Sequence, residues 1–139
     1  WERVCLFAAH VGMAERVLET AIQYARTRTQ FGQTIGKFQA VSHRLVDVKV
    51  SLEGARLLVY RAACNLDRSR SVSLDAALAK LAVSEMLVGA ALANLQIHGG
   101  YGYMTEFDVE RELRDALGST IYSGTSEMQR NIIARWLGL

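Results

Sequence analysis

The stretch VCLFAAHVGMAERVLETAIQYA, from Val4 to Ala25, contains no proline and places apolar residues at steps of three and four. Its apolar positions include Val4, Phe7, Val11, Ala14, Leu18, Ala21, Ile22 and Ala25. Residues at this spacing lie on one face of an α-helix. The stretch therefore predicts a long amphipathic helix that buries one face.

Two further runs repeat this period, and proline is absent from the whole chain. The second run consists of Phe38, Val41, Leu45, Val48, Leu52, Ala55, Leu58 and Ala62, and the third of Leu74, Leu78, Leu81, Val88, Leu92 and Leu95. Gly32 and Gly36 separate the first two runs, and a polar stretch ending at Ser73, a candidate N-cap, separates the second and third. Three long helices are predicted.

Shorter helices are predicted after the third run. Asp108 can cap a short helix that extends to about Leu117; Thr125 or Ser126 can cap a final helix, which Gly138 can end. Long helices with short connections pack antiparallel, crossing at about 20°. We expect an all-α fold, an up-down four-helix bundle with an additional short helix, as one domain over residues 1–139.

Composition narrows the class of protein. Sixteen basic and 14 acidic residues give a net charge of +2, mixed along the chain, so nucleic acid is not an expected partner. Cys5 and Cys64 lie in apolar sequence without disulfide or zinc spacing.

We expect a cytoplasmic protein without a membrane span, because an unbroken apolar run of about 18 residues is absent. Since Trp1 already begins a helical pattern, the chain is interpreted as a domain of a longer protein.

Two glycine-containing turns could bind a ligand. Bare backbone amides at Gly99–Gly102 would admit a phosphate or an adenine, although a helix C-cap explains the same glycines. Gly124 to Glu127 open the last helix, whose amides and dipole favour negative charge, although ordinary capping explains this pattern equally well.

Other polar residues have structural interpretations. Arg111, Arg114 and Asp115 favour a salt-bridged helix surface. His10, His43 and His98 are widely separated, form no metal-ligand spacing and are interpreted as packing or surface residues.

Taken together, four spaced motifs resemble the acyl-CoA dehydrogenase family over the whole chain. They are Arg28-Thr-Gln-Phe31-Gly32 with Gln39, Gln96-Ile-His-Gly99-Gly100-Tyr-Gly102, Arg114-Asp115, and Ile121-Tyr-Ser-Gly124-Thr125-Ser-Glu127 with Arg130. The resemblance implies the C-terminal bundle of an FAD-containing homodimer or homotetramer, whose N-terminal and middle domains are absent from this chain.

The resemblance also implies which residues contact FAD. Contacts to the adenine and pyrophosphate held by a neighbouring subunit are expected from Arg28, Gln30, Phe31, Gln39, Gln96, Gly99 and Gly100. Thr125 and Glu127 are expected to contact the flavin of their own subunit, and Arg28 supplies the cation that a diphosphate needs.

The reaction implied is α,β-dehydrogenation of an acyl thioester, in which a carboxylate takes the α-proton while a β-hydride passes to flavin N5. Many relatives carry that carboxylate as Tyr-Glu-Gly-Thr, but this chain has Tyr122-Ser123-Gly124-Thr125. Relatives of the isovaleryl-CoA and long-chain type place glutamate on the first helix instead, matching Glu2-Arg3. Glu2 is therefore the predicted base, and Arg3, Tyr122, Ser123 and Gly124 are expected to contact substrate.

Three alternatives remain open at this point. The acyl group could be bound to a carrier protein in secondary metabolism instead of CoA. Reduced flavin could react with oxygen, as in an oxidase or monooxygenase, rather than with an electron-transfer flavoprotein. The bundle could also be a non-catalytic oligomerisation domain.

Overall fold

A computed structural model describes residues 2–67 and 73–139. The described α-helices are α1 (Glu2–Thr27), α2 (Gln39–Asp67), α3 (Ser73–His98), α4 (Val109–Gly118) and α5 (Ser126–Trp136). Short 3₁₀ turns cover Ile35–Lys37, Gly99–Tyr103 and Thr105–Phe107, and the two-residue strands β1 (Thr29–Gln30) and β2 (Gln33–Thr34) pair antiparallel. The predicted all-α fold is confirmed, with this small hairpin as its one described sheet.

Helix α3 lies at the centre of the fold and packs against each of the other four α-helices. Near the end of α2, Arg61 forms an ion pair of 3.0 Å with Asp75 near the start of α3, so these two helices run antiparallel. Tyr24, near the end of α1, stacks against His98 at the end of α3, with ring centroids 4.0 Å apart. Helices α1 and α3 therefore end on the same side of the domain.

The main core lies between the three long helices and consists largely of small and branched side chains. By length and hydropathy, Ser73–Tyr103 could cross a membrane, yet its apolar window is 56% buried inside the bundle. Burial on several sides explains this hydropathy, because a helix surrounded by other helices is apolar around most of its circumference.

The element ends mostly follow the predicted signals. Thr125 is the N-cap of α5 and its hydroxyl accepts a hydrogen bond from the Met128 backbone amide at 3.3 Å. Gly138 follows the end of α5 with φ of 80°, as expected of a helix-ending glycine. The prediction for Asp108 was wrong in its mechanism: it occupies the N-cap position of α4 in a left-handed conformation, but its side chain makes no capping hydrogen bond. Its carboxylate instead pairs with Arg111 at 3.2 Å.

The two cysteines also differ from expectation. Cys5 and Cys64 are both exposed, although their sequence neighbours are apolar. Each lies on the outer side of its helix, so the local composition did not report which face was buried. Both are free thiols.

A lysine is buried among the core side chains. Lys80 of α3 is 0% exposed, and its ammonium donates a hydrogen bond to the Ser119 carbonyl oxygen at 2.9 Å. The same nitrogen lies 5.5 Å from the ring centroid of Phe7, near the start of α1. Burial lowers the pKa of Lys80 below its ordinary value. This contact joins α1, α3 and the segment after α4.

Gly102 offers a test of packing at the end of α3. An added Cβ would lie 2.6 Å from the Leu95 carbonyl oxygen and 2.9 Å from the His98 Cβ, both too close for normal contact. We expect Gly102→Ala to lower the free energy of unfolding by about 1–3 kcal/mol. Gly12→Ala is the matched control, since nothing lies within 4 Å of its added Cβ, and it should raise stability by up to about 1 kcal/mol. Equal effects in urea denaturation would contradict this packing.

The buried ammonium predicts a pH dependence of stability. The folded protein releases the Lys80 proton at a lower pH than the unfolded chain does, in which the lysine pKa has its ordinary value of 10.5. The unfolded chain therefore binds more protons in that interval, and stability must rise as pH increases towards 10.5. We expect this rise in the parent protein relative to Lys80→Met, which keeps the side-chain bulk but cannot titrate. Parallel plots of unfolding free energy against pH would refute it.

Candidate active site

The loop between α4 and α5 has an unusual backbone. Ser123 and Gly124 have φ of 55° and 90°, so two successive residues adopt left-handed conformations. Glycine suits position 124, because φ of 90° is strained for a residue with a Cβ, and an added Cβ would also displace the Gln129 side-chain nitrogen, 2.8 Å away. Serine at such a φ is uncommon and costs free energy, which its surroundings must offset.

Side chains from two helices hold this loop. The Arg3 Nε of α1 donates a hydrogen bond to the Ser123 carbonyl oxygen at 3.1 Å. From α5, the Gln129 side-chain amide donates to the Gly124 carbonyl oxygen at 3.0 Å. Within the loop, the Ser126 backbone amide donates to the Thr120 carbonyl oxygen at 2.9 Å. The loop backbone is therefore fixed from both sides.

The loop brings Ser123 against the first turn of α1. The Ser123 hydroxyl donates a hydrogen bond to the Glu2 carboxylate at 2.7 Å, although 121 positions separate the two residues. Glu2 is exposed and Ser123 is half-buried. A carboxylate that is hydrogen-bonded on one side and open on the other can be oriented and still accept a proton from an approaching molecule.

Tyr122 is held by a histidine of α1. The His10 ring hydrogen-bonds through Nε2 to the Tyr122 hydroxyl and through Nδ1 to the Leu6 carbonyl oxygen, the latter at 2.7 Å. His10 is buried and stacks against Phe7 with ring centroids 5.0 Å apart. Burial, with a smaller contribution from the charge of Asp115, raises the pKa of Tyr122, so its hydroxyl remains protonated at neutral pH.

The start of α5 combines capping and charge. Hydrogen bonds from its own backbone amide and from the Thr125 side chain hold the pKa of Glu127 below its ordinary value. Glu127 is also 3.8 Å from Arg130, which lies 3.3 Å from Glu85 of α3. The Ser126 hydroxyl is buried and has no hydrogen-bond partner within residues 2–67 and 73–139. Capping accounts for Thr125 and Glu127 without requiring a ligand.

A second group of predicted residues meets at the opposite end of α1. There, a cavity of about 510 Å³ is lined by Tyr24, Arg28, Gln30, Ile35, Ile97, His98, Gly99, Gly100, Tyr101 and Met104. The Arg28 guanidinium lies 5.4 Å from the Tyr101 ring centroid, and Gly99 has φ of 59°. The cavity offers a cation, bare backbone and aromatic surface, which suit a phosphate joined to a planar base.

Three predicted cofactor residues lie outside this cavity. Phe31 is at the tip of the hairpin, 92% exposed, with its ring edge against Phe38. Gln39 is exposed at the start of α2. Gln96 lines a different groove, of about 910 Å³, between α2 and α3. The structure thus brings together Arg28, Gln30, Gly99 and Gly100 but not the other three.

Sequence reasoning missed several residues that shape the first site. His10 and Lys80 contact a segment that is distant in sequence, and Gln129 folds back onto the loop five residues before it; helical periodicity reports none of these contacts. One signal was available: Arg3 and His10 are seven positions apart, so both lie on the same face of α1. The interpretation of Arg114 as salt-bridged is confirmed by its 2.8 Å contact with Glu110. Residues 2–67 and 73–139 hold no group of three metal-ligating side chains.

The comparisons with known proteins agree with this architecture. Residues 1–138 match the family model described as acyl-CoA dehydrogenase, C-terminal domain. The L-prolyl-[peptidyl-carrier protein] dehydrogenase of Pseudomonas fluorescens is 52% identical over 139 residues, covering 100% of this chain and 37% of that protein. An acyl-CoA dehydrogenase of Bacillus subtilis is 45% identical over 135 residues, covering 97% of this chain and 36% of that protein.

Solved structures give the same result. The crystal structure of the prolyl acyl carrier protein oxidase AnaB superimposes with a TM-score of 0.97 and 50% identity, covering 100% of this chain and 37% of that one. Butyryl-CoA dehydrogenase from Megasphaera elsdenii superimposes with a TM-score of 0.95 and 39% identity, covering 99% and 36%. The chain spans just over a third of the length of these relatives and belongs to the acyl-CoA dehydrogenase family, corresponding to its C-terminal helical domain.

Proposed function

We propose that this chain supplies the catalytic base and part of the cofactor site of an enzyme that dehydrogenates an acyl thioester between its α- and β-carbons. The observation that carries the proposal is the 2.7 Å hydrogen bond from Ser123 to Glu2. The bond brings the Glu2 carboxylate next to the loop position for which the family resemblance implies a carboxylate in many members. Glu2 is also exposed, so a substrate can reach it.

In this proposal Glu2 accepts the α-proton. The thioester carbonyl acidifies that proton, and a carboxylate within hydrogen-bonding distance can remove it. Ser123 orients the carboxylate, and Arg3 holds the Ser123 carbonyl through its Nε. Serine is not itself the base, because its hydroxyl ionises only weakly near neutral pH.

FAD is the proposed cofactor, and residues at both ends of α1 fit it. Arg28 and the Gly99–Gly100 backbone would hold the pyrophosphate, and the Tyr24 and Tyr101 surfaces suit an adenine. At the other end, the family resemblance assigns flavin contacts to Thr125 and Glu127 at the N-terminus of α5. When bound, FAD supplies the oxidant that receives the β-hydride.

The separation of the two sites favours an oligomer. Arg28, just after α1, follows Glu2 by 26 positions, which corresponds to about 39 Å of helix. That length is too great for one dinucleotide to contact both ends of the same chain. We therefore propose a homodimer or homotetramer in which each bundle contacts the flavin of one FAD and the adenine of another.

A carrier-bound acyl group is the second candidate substrate. Two L-prolyl-[peptidyl-carrier protein] dehydrogenases, from Pseudomonas fluorescens and a Serratia strain, are 52% and 44% identical to this chain. A probable acyl-CoA dehydrogenase of Bacillus subtilis is 46% identical, so a CoA thioester is the other candidate substrate. The higher identity, 52% to the Pseudomonas fluorescens enzyme, favours a prolyl group on a carrier protein.

Glu2→Gln in the intact flavoprotein tests the base. Without a proton acceptor, we expect flavin reduction by a saturated thioester to slow by about 10²–10⁴-fold in stopped-flow bleaching, with FAD content unchanged. Glu19→Gln, an exposed glutamate on the same helix, is the matched control and should react like the parent. Unchanged flavin-reduction kinetics in Glu2→Gln would refute the proposed role of Glu2 as the base. A colourless intact protein that takes up no FAD would favour a non-catalytic bundle.

The acyl carrier is tested separately by comparing prolyl-carrier protein with prolyl-CoA. If the enzyme uses contacts with the carrier, kcat/KM should be higher for the carrier-bound group by about tenfold or more. Equal or slower turnover of the carrier-bound group would refute carrier specificity.

Peroxide release, measured during turnover with and without an electron-transfer flavoprotein, distinguishes an oxidase from a dehydrogenase.

A further inference from the structure

His10 has the surroundings of a residue that positions the active-site loop. Arg3, Phe7 and His10 recur at intervals of four and three, so they occupy one face of α1 and extend along about 10 Å of it. Arg3 and His10 both contact the α4–α5 loop, and Phe7, fully buried between them, stacks on the imidazole. The imidazole cannot move without displacing the core.

The hydrogen bonds of His10 define its tautomer. A carbonyl oxygen has no proton to donate, so the 2.7 Å contact with Leu6 requires the proton on Nδ1. In the neutral imidazole, Nε2 then has a free lone pair and accepts the proton of the Tyr122 hydroxyl. Each polar atom of the pair has one defined partner, which fixes the direction of the Tyr122 side chain.

Because Tyr122 is fixed in this way, it also restricts Ser123, the residue whose hydroxyl contacts the Glu2 carboxylate. It immediately precedes Ser123, whose left-handed backbone is one of three positive-φ non-glycine residues in the described chain. Arg3 holds the Ser123 carbonyl directly, and His10 holds the adjacent residue through the Tyr122 hydroxyl. Loss of the hydrogen bond to His10 would leave the Tyr122 side chain, and with it the adjoining Ser123 backbone, with fewer fixed contacts.

We propose that His10 is a positioning residue for the dehydrogenation: through the Tyr122 hydroxyl it fixes the loop that places Ser123 against Glu2. The inference rests on the proposed function, because it concerns the orientation of the Glu2 carboxylate. His10 touches no reacting atom and transfers no proton. Its effect is on the geometry of the proton-transfer step.

The test uses the intact flavoprotein and measures the rate of flavin reduction per bound FAD at saturating thioester. Tyr122→Phe removes one oxygen, and His10→Phe retains an aromatic ring without the acceptor. Each should lower this rate by roughly tenfold or more while KM changes little, because a small displacement of a catalytic group is costly to the reaction. The double variant should be no slower than either single variant, since both remove one interaction.

Two controls separate positioning from simple stability. His10→Gln can return an acceptor oxygen to the Nε2 position and should recover most of the rate. Tyr60→Phe removes a hydroxyl from an exposed tyrosine of α2 and should leave the rate unchanged. A purely structural role would lower thermal stability or FAD content but not the rate per bound FAD.

The outcomes distinguish this inference from the proposed function. If Glu2→Gln abolishes flavin reduction while Tyr122→Phe and His10→Phe reduce flavin at the parent rate, the positioning role is refuted and the base is retained. Additive losses in the double variant would also refute it. If Glu2→Gln has no effect, the proposed function itself fails. Should His10→Phe not fold, Tyr122→Phe and the His10→Gln rescue still decide the question.

Discussion

The candidate site depends on the contact between the first turn of α1 and the loop that precedes α5. Ser123 holds a left-handed backbone conformation that costs about 1–3 kcal/mol for a residue with a Cβ. Arg3 and Glu2 offset this cost by binding the carbonyl and the hydroxyl of the same residue. Without them, nothing in the local sequence would favour serine in that conformation.

The helical core makes this contact possible by fixing the distance between α1 and the loop. Helix α3 packs against α1, α4 and α5, so the two elements that bound the loop are attached to the same support as α1. Lys80 reinforces this arrangement, because its buried ammonium binds the Ser119 carbonyl on one side and lies over Phe7 on the other. The buried lysine therefore links α3 both to α1 and to the start of the segment that leads into the loop.

Much of the fold was predictable from the sequence, because helix formation follows from local periodicity and capping. The long helices and the cap at Thr125 depend on residues close together in the chain. The hairpin was not predicted, since Phe31 takes a positive φ beside Gly32 and a bulky residue rarely does. The Tyr122–His10 pair was also missed, because 112 positions separate its members and neither has a distinctive neighbour.

Geometry also gives a physical reason for a small residue at position 123. Its hydroxyl already lies 2.7 Å from the Glu2 carboxylate, so a second carboxylate on the same loop would place two negative charges in near contact. Like charges at that distance cannot both ionise near neutral pH, and the proton affinity of one must rise sharply. An ionised carboxylate at either position would therefore disfavour ionisation of a carboxyl group at the other position. Serine avoids this repulsion, and its hydroxyl donates the hydrogen bond that orients the Glu2 carboxylate.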